Sequence, residues 1–188
     1  MKQIITFLLT LGLGIVVQAR TVNYAEGYYV VPDDMTEEPG DGVKGYDPNP
    51  EGRVFVRRDS IQNVYMMVSS YRDNSRIDNL KVWELYAHQS EDQLIRDMQA
   101  SYSGLPAGTV ATVESVTTDV TGQRMVSSAT ISDSKSSSAV VTAIILLNNH
   151  KSLHIEIWVN KARFDELLPE MTKIATSFNA NSDFIIRN

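Results

Sequence analysis

The 188-residue sequence contains no cysteine, and that absence removes disulfide staples, thiolate zinc sites and cysteine nucleophiles together. Other short signatures of chemistry are missing as well: there is no G-x-S-x-G elbow, no H-E-x-x-H, no glycine-rich phosphate loop and no dinucleotide fingerprint. Basic charge is scarce, with 17 Lys and Arg against 23 Asp and Glu, so nucleic acid is a poor partner. No internal repeat suggests a solenoid. The expectation is a protein without a cofactor that is not an enzyme.

Long apolar runs are also few. The longest opens the chain, from Ile4 to Val17 broken only by Thr and Gly, after a single lysine and before small residues at Val17 and Ala19. That pattern predicts a secretory signal peptide over 1–19, cleaved after Ala19. A membrane anchor would need about 20 apolar residues and a charged stop. With no cysteine behind the run, a lipoprotein anchor is excluded. The expected product is soluble, periplasmic or secreted, and free of membrane spans. Removing 19 of 188 residues leaves 169, enough for one domain over 20–188 with a core that needs no disulfide.

What the chain does have is concentrated between 139 and 178. Residues 139–147 (AVVTAIILL) form a β-branched apolar run of strand length, suited to burial on both faces. A polar turn follows at Asn148, Asn149, His150 and Lys151. Residues 152–159 then alternate, with Leu153, Ile155, Ile157 and Val159 on one face and His154, Glu156 and Trp158 on the other. Beyond Asn160 the period becomes helical: Phe164, Leu167, Leu168, Met171, Ile174, Ala175 and Phe178 share a stripe, with Pro169 expected to kink or restart the helix. Its six large residues represent on the order of 10 kcal/mol of gross burial.

Upstream, Ser90 with Gln93 three residues on reads as a capping box for a helix carrying Leu94, Ile95, Met98 and Tyr102, stopped by Gly104 and Pro106. Two Thr- and Val-rich strands follow at 110–120 and 124–131, joined at Thr121 and Gly122. From Asp92 to Ala180, roughly half the chain, the order of a helix (DQLIRDMQASY), a hairpin (VATVESVTTDVTGQRMVSSATI), two apolar strands and the ending RFDELLPEMTKIATSFNA resembles the PsbP-like superfamily. That is the fold of a photosystem II extrinsic protein, a Ran-binding import factor and bacterial envelope proteins of the DcrB kind. The resemblance implies an α+β domain, an antiparallel sheet with helices on both faces, and no catalytic residue. Nothing in this acidic chain points to a photosystem.

The remaining elements are shorter. Strands are predicted at 28–31, 53–57 and 64–71, with Tyr28, Tyr29, Tyr65 and Tyr71 as core residues or, less simply, the lining of an aromatic groove. Residues 78–87 fit a strand or a helix, the helix being preferred. Residues 132–138 (SDSKSSS) read as a loop of low complexity, and Phe184 to Ile186 as a docked extended tail.

Two places are candidates for function. Between 33 and 51 lie Asp33, Asp34, Glu37, Glu38, Asp41, Asp47 and Glu51 against Lys44, a net of minus 6 among prolines and glycines that forbid regular structure. Such a loop suits a hard cation such as calcium or a basic partner, although a solvated insertion is the plainer reading and no EF-hand spacing is present. Asp33, Asp34, Glu37, Glu38, Asp41 and Asp47 are the metal candidates; Asp41, Asp47 and Glu51 are candidates for a docking surface. The second place is the His154, Glu156, Trp158 face, where a His beside a carboxylate could act as a base, a ligand or a partner contact. An apolar neighbour face of Val141, Ala143 and Ile145 is expected opposite it. The function expected is a non-catalytic protein-binding module, an accessory subunit of an envelope complex or a periplasmic immunity-type protein whose acidic loop meets a basic cleft. A small-ligand or calcium-binding module is the alternative.

Overall fold

A computed structural model describes residues 18–39, 52–59, 63–72, 79–119, 123–148 and 150–186. Residues 1–17 of the leader expected over 1–19, the turn at Thr121 and Gly122, and Asn149 lie outside these residues.

The centre of the molecule is a seven-stranded antiparallel sheet. Its members are β3 (Thr36–Glu38), β4 (Arg53–Arg57), β5 (Val64–Arg72), β6 (Val110–Asp119), β7 (Arg124–Ser132), β8 (Ser137–Leu146) and β9 (Lys151–Asn160), in the order β3-β4-β5-β9-β8-β7-β6. β8 and β9 sit in the middle because they are the most apolar, and β8 is covered on both faces as its unbroken run requires. A second, three-stranded sheet has β2 (Gly27–Pro32) between β1 (Ala19–Tyr24) and β10 (Asn179–Ala180).

One face of the large sheet meets helix α3 (Phe164–Ala175), whose Phe164, Leu167, Met171, Ile174 and Ala175 are buried against it with Phe178 just beyond. Leu153, Ile155, Ile157 and Val159 of β9 form the floor, and Tyr29, Val31 and Phe55 extend the core toward the small sheet. The other face carries α1 (Asn79–Ala87) and α2 (Glu91–Ser101). Leu94, Ile95 and Met98 of α2 cover Val113, Val116, Met125, Ala129 and Val140, while Trp83 of α1 packs with Leu146 and Ile186. Helices therefore flank the sheet on both sides, as expected, and residues 79–87 are helical. No helix among the described residues is long and apolar enough to cross a membrane.

Several local expectations change. Ser90 does cap α2, accepting the Gln93 N–H, but the Gln93 side chain turns to Asp97 and only half of the capping box forms. α3 runs through Pro169 without restarting, the proline lying on its exposed side where the freed carbonyl can meet water. The serine-rich stretch is a tight turn: Asp133 Oδ1 accepts from the N–H groups of Lys135 and Ser136, and β8 already begins at Ser137. β1, β3 and β10 were not expected, and β3 lies inside the segment read as irregular. The tail docks as predicted, Gln123 donating to the Ile186 carbonyl and accepting its N–H.

Candidate functional site

Strand alternation brings His154, Glu156 and Trp158 to one face of β9, together with Ser152 at its start. Their neighbours differ from expectation by one residue. The turn closes one residue early, with the Leu147 N–H on the Lys151 carbonyl (3.0 Å) and His150 in the left-handed region at φ 60°. That register sets Ile144 opposite His154, Thr142 opposite Glu156 and Val140 opposite Trp158; Val141, Ala143 and Ile145 point to the α3 side. A slip of one residue exchanges the faces, so a misplaced turn gives the wrong lining. On the other flank β5 contributes Tyr65, Met67, Ser69 and Tyr71, opposite Trp158, Glu156, His154 and Ser152.

The four polar side chains form two separate pairs. Ser152 Oγ lies 3.2 Å from His154 Nε2, and the Trp158 indole N–H donates to Glu156 Oε2 at 3.0 Å. The Tyr71 ring tilts over the imidazole with centroids 4.6 Å apart. Burial lowers the His154 pKa to about 4, so the ring is neutral at physiological pH. Burial raises the Glu156 carboxyl, an effect the Trp158 bond partly offsets. Tyr102, in the turn after α2, is raised first by burial and then by the charge of Glu156.

A serine within reach of an imidazole has two parts of a nucleophile–base pair, but the chemistry needs a base poised near neutrality and a third group to orient it. Here desolvation holds the imidazole far below that point, and the nearest strand carboxylate is bonded to indole instead. The arrangement orders side chains under the helices; it does not activate one.

Over the described first part of the acidic stretch, Asp34, Glu37 and Glu38 already have cations. Glu37 takes a bidentate bond from Arg53 (2.7 and 2.6 Å). Glu38 takes one from Arg58 (2.7 and 2.8 Å). Asp34 shares Arg57 with Glu170 of α3. The Arg53 bonds hold the Glu37 carboxyl below its ordinary range. Asp33 is exposed. Asp34, Glu37 and Glu38 therefore do not converge on an open cation site, and among the described residues no group of three or more His, Asp or Glu could hold a metal. Asp41, Asp47 and Glu51 lie outside the described residues.

The four tyrosines do not meet in one groove. Tyr29 is fully buried beside Phe55 (6.1 Å, edge to face), and burial pushes its phenol up to about 12. Tyr65 and Tyr71 lie on the opposite side of the sheet, and Tyr28 is exposed. Sequence reading missed Ser152 and Tyr71 as neighbours of His154, and Arg53, Arg57 and Arg58 as counterions. Alternation carried back along β9 would have found Ser152, cross-strand register Tyr71, and a window reaching past Glu51 the arginines.

The sequence matches no family model and no curated protein. Among solved structures the chain is similar to cyanobacterial PsbP (CyanoP) from Synechocystis sp. PCC 6803, with a TM-score of 0.54, 14% identity and coverage of 93% of this chain and 99% of that one. It is also similar to the Saccharomyces cerevisiae Ran-binding protein Mog1p, with a TM-score of 0.52, 14% identity and coverage of 90% and 100%. A Mog1 mutant superposes with a TM-score of 0.51. With such coverage the likeness is not confined to 92–180, and the chain has the PsbP-like fold.

Proposed function

We propose that the protein is an exported, non-catalytic module that acts by binding another protein of the bacterial envelope. The observation that carries this reading is the fold shared with Mog1p, described as Ran-binding, over 90% of the chain. A fold that holds a protein partner there is a reasonable scaffold for one here. The inert state of the His154 and Glu156 row supports a binding role over a catalytic one. The apolar segment ending at Ala19 supports export. The residues we assign to the partner are Asp41, Asp47 and Glu51, because Asp34, Glu37 and Glu38 are already paired with Arg57, Arg53 and Arg58. A basic partner surface would be complementary.

Two roles fit such a module, an accessory subunit of an envelope complex and an immunity-type protein that neutralises a toxin. The test is affinity capture from envelope extract with the chain from Arg20 to Asn188, beside a variant with Asp41, Asp47 and Glu51 changed to Asn, Asn and Gln. A stoichiometric partner lost in the variant supports the reading. Absence of a partner with both forms overturns it. Deletion then separates the roles: a subunit gives an envelope defect by itself, an immunity protein only beside its toxin.

A further inference from the structure

Among the described residues the large sheet has two edges, β3 and β6. β3 is three residues long, and both its glutamates are tied to arginines, so it offers little to another strand. β6 is ten residues long, contains no proline or lysine, and leaves Val110, Thr112, Glu114 and Thr117 exposed. Unpaired backbone along such an edge is a template for strand addition.

Part of that edge is occupied by a side chain. Gln99, on the exposed side of α2, donates from Nε2 to the Ala111 carbonyl at 2.9 Å and accepts the Val113 N–H on Oε1 at 2.9 Å. Both backbone groups point away from β7, and both are groups an adjoining strand would bind. One carboxamide thus stands in for a strand.

We infer that β6 is a latent dimerisation edge held shut by Gln99, and that β6 of a second copy of this chain is its occupant once the glutamine is withdrawn. The two groups that Gln99 ties are complementary to themselves under a two-fold axis. In an antiparallel pairing centred on Thr112, the Ala111 carbonyl accepts from Val113 of the second copy, and the Val113 N–H donates to Ala111 of the second copy. The same register sets Thr112 against Thr112, a favourable cross-strand pair, and Glu114 against Val110, so no two carboxylates meet. The register shift between Val113 and Ser115 bends the strand beyond and confines the pairing to 110–114. The inference rests on the edge alone and is independent of the proposed partner.

Sedimentation of the purified protein over a concentration series into the millimolar range tests it. The wild type should remain monomeric, Gln99→Ala should dimerise with an apparent Kd at least roughly tenfold lower, and Gln99→Ala with Thr112→Lys should return to monomer, since an edge lysine resists pairing. Circular dichroism checks that each variant is folded; if the alanine variant loses helix, Gln99→Glu, which keeps the acceptor for Val113 and loses the donor, replaces it. A Gln99 variant that stays monomeric throughout overturns the inference. So does a wild type that dimerises as readily as the variant, or a Gln99→Ala dimer that survives Thr112→Lys.

Discussion

Strand β9 carries two chemistries back to back. Toward α3 it presents Leu153, Ile155, Ile157 and Val159, at most 4% exposed; toward α1 and α2 it presents Ser152, His154, Glu156 and Trp158, all only partly covered. The backbone is the same, so the contrast lies in the layers above. α3 buries five residues on the sheet, whereas α2 buries Leu94 alone. The α3 face is where burial stabilises the fold, at roughly 1.5 to 3 kcal/mol for each large side chain. The opposite face keeps polar groups that cost stability, and it does so at the centre of the sheet.

Substitutions on the two faces should separate accordingly. Ile155→Ala is expected to lose about 4 kcal/mol in urea unfolding, from transfer and cavity terms together; a loss below about 1 kcal/mol would break the comparison. The polar face should show itself in pH. An unfolded imidazole takes its proton near 6.5 and the folded His154 near 4, so between those values the unfolded state binds more protons and stability falls on acidification. The fall is up to about 3 kcal/mol, opposed in part by Glu156, whose raised carboxyl makes acid favourable to the fold. His154→Phe keeps a ring under Tyr71 and should flatten the profile between pH 6.5 and 4, read from denaturation midpoints. A slope that persists unchanged would place the acid sensitivity elsewhere.

Smaller effects sharpen the contrast. Gly27 in β2 has no room for a Cβ, which would strike the Asn179 carbonyl and come within 2.8 Å of Phe178 Cζ. Gly27→Ala should therefore cost about 2 kcal/mol through the α3 side of the core, measured by thermal unfolding. Glu156→Gln removes a charge that burial disfavours while keeping an acceptor for Trp158. It should gain about 1 kcal/mol at pH 8, and a loss there would show that the carboxylate is held by more than the indole.

Legibility in the sequence followed how local each cause is. β8, β9 and α3 were readable because their burial is written in their own periodicity, and α2 because Ser90 marks its start. β1 has Val22 as its one buried residue, and β3 and β10 are three and two residues long, so these strands exist through pairing with distant segments and leave no pattern of their own. The tight turn at Asp133 hid behind composition that suggests disorder. For the candidate site, the shared face of His154, Glu156 and Trp158 followed from alternation, but its lining depended on a turn placed one residue off. The acidic stretch looked unbalanced because counting stopped at Glu51, just short of Arg53, Arg57 and Arg58.

The small sheet joins early and late parts of the chain: β10 pairs with β2, and the Val30 N–H donates to Ser177 Oγ across 147 residues of sequence. Closing so long a loop brings an entropic cost before any contact repays it, and such closures slow folding. The last kinetic step should be this seam, with the seven-stranded sheet and α3 assembled before it. Refolding followed by hydrogen exchange would then protect the amides of β8 and β9 first and that of Val30 last, making the seam the place where a newly made chain stays open longest.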